Sequence, residues 1–340
     1  MMRRLTKFSK EWLTLSSLIG IAILLVYLWL MTPKELLSLV SLLTPVHIIT
    51  TIALELLHIT LYGVGWWFLL RSIDRHVGLK ESLIGAYVSV FGDIMIPTGS
   101  ITGESLRFIY AVRRLKFKHG SALATIVMHR VLNGITFAFF VVTSYIMLMR
   151  RASSLSEYVL LAMATVLLSC AVAIFLLEMP RIKDKLLSTI LRGHERRGIK
   201  GYLARLVEEL AEAVEYLKGH TANLFLSLIA LMTQWIVGIL IPYLIFHALN
   251  YNVSFWLVSF AYPIYGLIVL VPVGIPAMIG VLDVTMMSIF MLLGVDKEVA
   301  IAVALLTRAI TIPTDMLFTG SITFTTGLRG LIWGRKHIRL

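Results

Sequence analysis

Two arginines stand in runs of the chain that are otherwise almost wholly apolar: Arg130 within 121–149 and Arg308 within 299–325. A charge at mid-bilayer depth costs at least ~2.5–3.5 kcal/mol on insertion scales, so each asks for a partner or a polar cavity. The sequence offers each an acid, Glu104 lying 26 positions before Arg130 and Asp283 lying 25 before Arg308. Such pairs could be structural, pinning one segment to the next. They could also set guanidiniums at a polar cavity, where paired N–H donors hold a phosphate. The two uses can coexist. Arg107, His129 beside Arg130, and Asn133 one turn further on extend the first set, and Asp93, next to Gly92, is a further cavity candidate.

Other polar residues carry weaker chemistry. Glu55 and His58 are three apart and share a helix face, where they could relay protons or hydrogen-bond each other against a neighbouring helix. Asp315 follows Pro313 two turns beyond Arg308, a pathway position. Gln234 and His247 suit interhelical contacts, and Trp66, Trp67, Trp235 and Trp256 suit packing or interfacial anchoring. Enzymatic motifs do not survive inspection. Gly92-Asp93 is half of an intramembrane aspartyl protease signature, but position 90 is Val and no second half follows. Gly99-Ser100 lacks the glycine pattern of an intramembrane serine nucleophile. No phosphate loop or metal-ligand spacing occurs, so no catalytic residue, cofactor or metal is expected. The single cysteine, Cys170, excludes a disulfide within the chain.

Positioning such residues requires a membrane scaffold. Of 340 residues, 15% are charged and 58% hydrophobic, against roughly 25% charged in soluble domains. Stretches of about 20 apolar residues suffice to cross a bilayer. They occur at 12–32, 46–70, 121–149, 157–178, 222–249 and 299–325. Residues 82–97 are short and end at Pro97-Thr98-Gly99. Residues 255–293 are interrupted by Pro263, Pro272, Gly274, Pro276 and Gly280. Both read as re-entrant or broken hairpins, tolerated where protein or water lines them.

Charge placement orients the scaffold. With both hairpins returning to their side of entry, the N-terminal side holds 25 of the 31 Lys and Arg residues, within 1–11, 71–81, 104–120, 179–220 and 326–340. The other side holds only Lys34, Arg150, Arg151 and Lys297. The positive-inside rule then puts both termini in the cytoplasm of a multi-pass plasma-membrane protein. The net charge of +12 is thereby read as cytoplasmic loops facing anionic lipid, and nucleic acid is not expected as a partner. Residues 200–218 place Leu203, Leu206, Val207, Leu210, Val214 and Leu217 on one helical face, a helix packed on the membrane domain or a partner. Residues 104–118 read as a basic amphipathic helix at the headgroups.

The chain repeats itself in outline. Pro97-Thr98-Gly99, Gly103-Glu104, Ala122, Ala124 and Arg130 answer to Pro272-Val273-Gly274, Gly280, Asp283, Ala300, Ala302 and Arg308. The first hairpin enters from the cytoplasm and the second from outside, so the halves 46–149 and 222–325 are inverted about the 179–220 segment within one membrane domain, 1–340. Secondary transporters are often built this way.

These runs resemble the flippase-type membrane domain of lysylphosphatidylglycerol synthases, the multiple peptide resistance factor, and its stand-alone relatives. The resemblance rests on Pro97, Gly103-Glu104, Arg107, Ala122 and Arg130 in the first half and on Pro272-Val273-Gly274, Gly280-Val281, Asp283, Gly294-Val295, Ala300 and Arg308 in the second. The family's second motif is richer in glycine, has glutamate where Asp283 stands, and its first motif has an extra basic residue before Gly103. No soluble aminoacyl-transfer domain is expected within these 340 residues, so synthase activity is not implied. What is implied is an all-α polytopic protein, six full transmembrane helices and two re-entrant hairpins in an inverted repeat, that translocates lipid between leaflets. A phospholipid or other lipid-linked phosphate would be its partner, and homo-oligomerisation is compatible with the architecture. A secondary transporter of a small soluble anion is the alternative, and a non-transporting subunit recruiting an enzyme through 179–220 a third.

Overall fold

The computed structural model describes residues 42–96, 98–148, 178, 180–190 and 198–326. The spans expected at 12–32 and, but for its last residue, 157–178 lie outside the described residues, as do Pro97, Cys170, both termini and Arg150. Among the described residues every regular element is helical. In chain order they are α1 (Pro45–Ile73), α2 (Leu79–Met95), α3 (Ile101–Arg113), α4 (His119–Leu148), α5 (Gly198–Gly219) and α6 (Thr221–Ala248). There follow α7 (Phe255–Gly266), short 3-10 turns at Leu267–Leu270 and Pro276–Met278, α8 (Val281–Leu292) and α9 (Lys297–Thr325).

Helices α1, α4, α6 and α9 are long and apolar enough to cross a membrane, at 28–30 residues each. At 1.5 Å per residue, about 20 residues already span the ~30 Å hydrocarbon core. The chain is an all-helical polytopic membrane protein. Pro242, Pro263 and Pro313 lie inside helices. Such prolines persist where hydroxyls and neighbours satisfy freed carbonyls. Next to Pro313, the Thr314 hydroxyl donates to the Ile310 carbonyl at 2.7 Å.

The chain forms two compact units. Among the described residues, one contains Tyr87–Gly103 with those up to Ile59 and those from Ile236 onward; the other contains Thr60–Ala86 and those of Glu104–Trp235. Helices α1, α2, α3 and α6 each contribute residues to both.

In the unit of Thr60–Ala86 and Glu104–Trp235, glycines on α1 bring the helices into close contact. The Ser82 hydroxyl donates to the Gly63 carbonyl at 2.9 Å and the Ser227 hydroxyl to the Gly65 carbonyl at 2.8 Å. Trp66 is wholly buried and donates from Nε1 to Thr125 Oγ1 at 3.2 Å. The core joins Leu69, Ala124, Met128 and Leu132 to Ala213, Val214 and Leu217 of α5. Helix α5 thus packs on the membrane domain, as its periodicity implies. The buried face differs from the expected leucine stripe, for Ala204, Ala211, Ala213, Val214 and Leu217 are buried whereas Leu203 is 41% exposed. Small side chains win because α5 lies so close to α4 that the Glu209 carboxylate accepts from the Gly120 backbone N–H at 2.9 Å. Lys118 adds a 3.0 Å contact to Glu212 at the surface. That carboxylate holds the ammonium above its usual value.

In the other unit, α2 lies against α9 through edge-to-face pairs, Tyr87 on Phe318 at 5.1 Å and Phe91 on Phe324 at 5.6 Å between ring centroids. Both apolar segments expected to be broken are broken. The first stops at Met95 and resumes at Ile101; the second unwinds between Gly266 and Val281. The tips of the two breaks meet: a Cβ on Gly99, whose φ is 68°, would come within 2.5 Å of the Leu270 carbonyl oxygen. A side chain there would be excluded by strain and by space together.

Candidate functional site

The acid and arginine singled out in the first half do pair. Arg130 Nε donates to Glu104 Oε1 at 2.6 Å, and its Nη2 lies 2.5 Å from the same oxygen. The other oxygen, Oε2, lies 2.6 Å from Arg107 Nη2. One carboxylate therefore holds two guanidiniums. Helix geometry explains why: Glu104 and Arg107 are three residues apart on α3, hence on one face, and Arg130 comes from α4.

Arg107 is not the headgroup-facing residue that a basic surface helix implies. It is wholly buried, its guanidinium 5.0 Å from the Trp66 ring centroid and 5.3 Å from that of Tyr62. A guanidinium suits such a place because its flat, weakly hydrated face stacks on aromatic rings while its edges hydrogen-bond. Its Nη1 donates to the Tyr62 hydroxyl at 3.1 Å, and that hydroxyl donates to Glu104 Oε1 at 3.3 Å. His129 Nδ1 lies 3.2 Å from Arg107 Nη1, and Nε2 lies 3.2 Å from the Tyr62 carbonyl oxygen. Tyr62, Glu104, Arg107, His129 and Arg130 thus form one network. Its exposed member is Arg130, with a third of its side chain accessible. Asn133 has a different duty, its carbonyl accepting from Trp235 Nε1 at 2.6 Å.

The second acid and arginine also meet, in the other unit. Arg308 Nε lies 3.5 Å from Asp283 Oδ1, and Nη2 donates to the Ala277 carbonyl. Asp283 is buried, and its Oδ2 accepts from the Gly280 N–H at 2.7 Å. It therefore caps α8 from the third helical position, where a carboxylate is stabilised by the helix dipole. Gly274, Ala277, Met278 and Gly280 have φ of 72°, 52°, 51° and 84°, so the guanidinium and the cap hold a loop whose backbone has positive φ at four places. Arg308 and Asp283 define the shape of this break, whatever else they do.

Asp93 has the matching duty in the first break. Its Oδ1 accepts from the Gly103 N–H at 2.8 Å. Thr98 Oγ1 accepts from the Thr102 N–H at 3.0 Å, capping α3.

Glu55 is buried on α1 with His58 Nδ1 3.6 Å from its Oε1. Beyond this expected pair, His58 Nε2 lies 3.3 Å from the Tyr262 hydroxyl. Sequence reasoning missed Tyr62 and Tyr262. Residues 55, 58 and 62 do form a polar stripe at helical spacing, a signal that was open to reading.

Among the described residues, no group of three His, Cys, Asp or Glu side chains could hold a metal ion.

The family model described as the lysylphosphatidylglycerol synthase TM region matches residues 17–318. The chain is 22% identical to a UPF0104 membrane protein of Pyrococcus horikoshii over 315 residues, 87% of this chain and 92% of that protein. It is 23% identical to one of Methanocaldococcus jannaschii, over 78% of this chain and 80% of that protein. A third, from Methanothermobacter thermautotrophicus, is 22% identical over 86% and 89%. No solved structure matches. The match covers nearly the whole chain and contains every residue of both acid–arginine pairs, so the chain belongs to the lysylphosphatidylglycerol synthase TM region family.

Proposed function

We propose that this chain carries a phosphate-bearing lipid between bilayer leaflets, with the headgroup phosphate taken at Arg130. The observation that carries the reading is the sharing of Glu104 between a wholly buried Arg107 and a part-exposed Arg130. Glu104 fixes the Arg130 Nε edge, so the guanidinium is oriented before a ligand arrives, which lowers the ordering cost of binding. A planar guanidinium suits bidentate phosphate recognition better than a flexible ammonium. The broken helices, their tips in contact at Gly99 and Leu270, are the kind of backbone found beside membrane ligand sites. The protein works as a carrier and not an enzyme, in the plasma membrane, with its basic loops on the cytoplasmic side facing anionic lipid.

Native mass spectrometry of gently purified protein tests this reading. Wild type is expected to retain phospholipid, and Arg130→Ala to lose it while keeping wild-type thermal stability. A protein that retains no lipid but takes up inorganic phosphate into vesicles would be a carrier of a small soluble anion instead.

A further inference from the structure

Asn133 stands one turn beyond Arg130 on α4, so the two side chains share a face of that helix. Its carboxamide is held by Trp235 of α6, whose Nε1 lies 2.6 Å from Oδ1. An indole N–H only donates, so the amide oxygen must face it, and the amide nitrogen with its two N–H donors is turned the other way. The indole is itself fixed, stacked on Phe140 at an interplanar angle of 11° and edge-to-face with Phe137 at 5.9 Å between centroids. Both phenylalanines are buried, whereas Asn133 is partly exposed, as Arg130 is. This face of α4 therefore runs from two polar side chains, one charged and one neutral, to the aromatic wall that sets the orientation of the neutral one.

The hydrogen bonds beside Arg130 also fix the charge of the site. A guanidinium only donates, so His129 Nδ1, 3.2 Å from Arg107 Nη1, must accept. The Tyr62 carbonyl only accepts, so His129 Nε2, 3.2 Å away, carries the one proton of the imidazole. His129 is therefore neutral, for a second proton would set two donors against each other. Tyr62, Glu104, Arg107, His129 and Arg130 then carry one net positive charge, two guanidiniums against one carboxylate. Asn133 adds donors without adding charge. A phosphodiester brings one negative charge and two unesterified oxygens, which match one net cation and one neutral donor group. A phosphomonoester brings a second negative charge that nothing in this network meets, and an unmet charge is costly away from water.

We propose that Asn133, oriented by Trp235, is a second ligand for the phosphate taken at Arg130, and that the two together select a singly charged phosphodiester over a phosphomonoester. The inference rests on the proposed phosphate site at Arg130 and adds to it the residue and the charge class that give selectivity. Arg130 meets the negative charge that the two oxygens share, and Asn133 Nδ2 donates to the second oxygen. Trp235 is a positioning residue that acts through the carboxamide it holds. A neutral donor beside the cation, in place of a second cation, is what favours the diester.

The test offers full-length protein in detergent an equimolar mixture of phosphatidylglycerol, a diester, and phosphatidic acid, a monoester, in mildly alkaline buffer where the second carries two charges. Retained lipid is read by native mass spectrometry and folding by thermal unfolding. Wild type is expected to retain the diester several-fold over the monoester. Asn133→Lys, which exchanges the neutral donor for a charged one, is expected to invert that preference, an outcome that a merely structural role would not produce. Trp235→Phe keeps the ring but frees the carboxamide, and is expected to lower diester retention several-fold at an unchanged melting temperature. Equal retention of the two lipids by wild type, or a folded Asn133→Lys with the wild-type preference, overturns the selectivity. If Asn133→Lys does not fold, Trp235→Phe decides, and wild-type retention in it overturns the role of Asn133. If Arg130→Ala loses lipid while both other variants behave as wild type, the phosphate site stands and this inference fails. If Arg130→Ala retains as much lipid as wild type, the phosphate site itself fails.

Discussion

Arg107 Nη2 lies 2.6 Å from Glu104 Oε2, and the arginine is wholly buried. A cation in such a place is tolerated only with its partner. Removing one member of a buried pair typically costs 3–5 kcal/mol, whereas replacing the pair by apolar side chains is often close to neutral. Glu104→Gln should therefore destabilise the protein by about 3 kcal/mol. The double variant Glu104→Gln/Arg107→Met should recover more than half of that, as read by thermal unfolding in detergent. Equal losses in the single and double variants would show that Arg107 does not depend on Glu104.

The tight turn between α2 and α3 makes a steric prediction. A Cβ on Gly103 would stand 2.6 Å from both the Ser89 carbonyl oxygen and the Asp93 carboxyl carbon. Gly103→Ala should break the Asp93 contact, lower the melting temperature and abolish transport. Ala at Gly219, where nothing lies within 4 Å, should be silent by the same measurements.

Asp283 serves α8 as a cap and Arg308 as a partner, and the two duties separate by substitution. Asp283→Asn keeps a side-chain acceptor for the Gly280 N–H but removes the charge, so helix-end protection from hydrogen exchange should persist while the Arg308 contact weakens. Asp283→Ala should lose both. Equal exchange at residues 280–284 in the two variants would contradict this division.

The docking of α5 can be tested without transport. A Cβ on Gly120 would stand 2.5 Å from the Glu209 carbonyl carbon. Gly120→Ala should release α5, and limited proteolysis should then cut between 198 and 219 several-fold faster than in wild type. An unchanged cleavage rate would mean that α5 is held elsewhere.

Much of this was legible in the sequence because the bilayer penalises charge so heavily. Glu104, Arg130, Asp283 and Arg308 stood out as expensive residues, and each found the partner that spacing offered. The breaks were legible because Gly and Pro interrupt helices for local reasons. Arg107 was not, since composition gives 104–118 the look of a surface helix, and only the aromatic walls of Trp66 and Tyr62, distant in sequence, turn it inward. The His58–Tyr262 contact joins positions 204 residues apart, beyond any periodicity. On α5 the apolar pattern named the correct helix, but closeness of packing selected alanines over leucines at the contact.

The central claim is that Arg130, oriented by Glu104, takes the phosphate of a moving lipid. Its most direct test is the rate at which fluorescently labelled phospholipid in liposomes reaches a membrane-impermeant quencher. The account predicts movement well above protein-free liposomes for wild type, a fall of at least tenfold for Arg130→Ala, and partial return for Arg130→Lys. Equal rates for wild type and Arg130→Ala would contradict it.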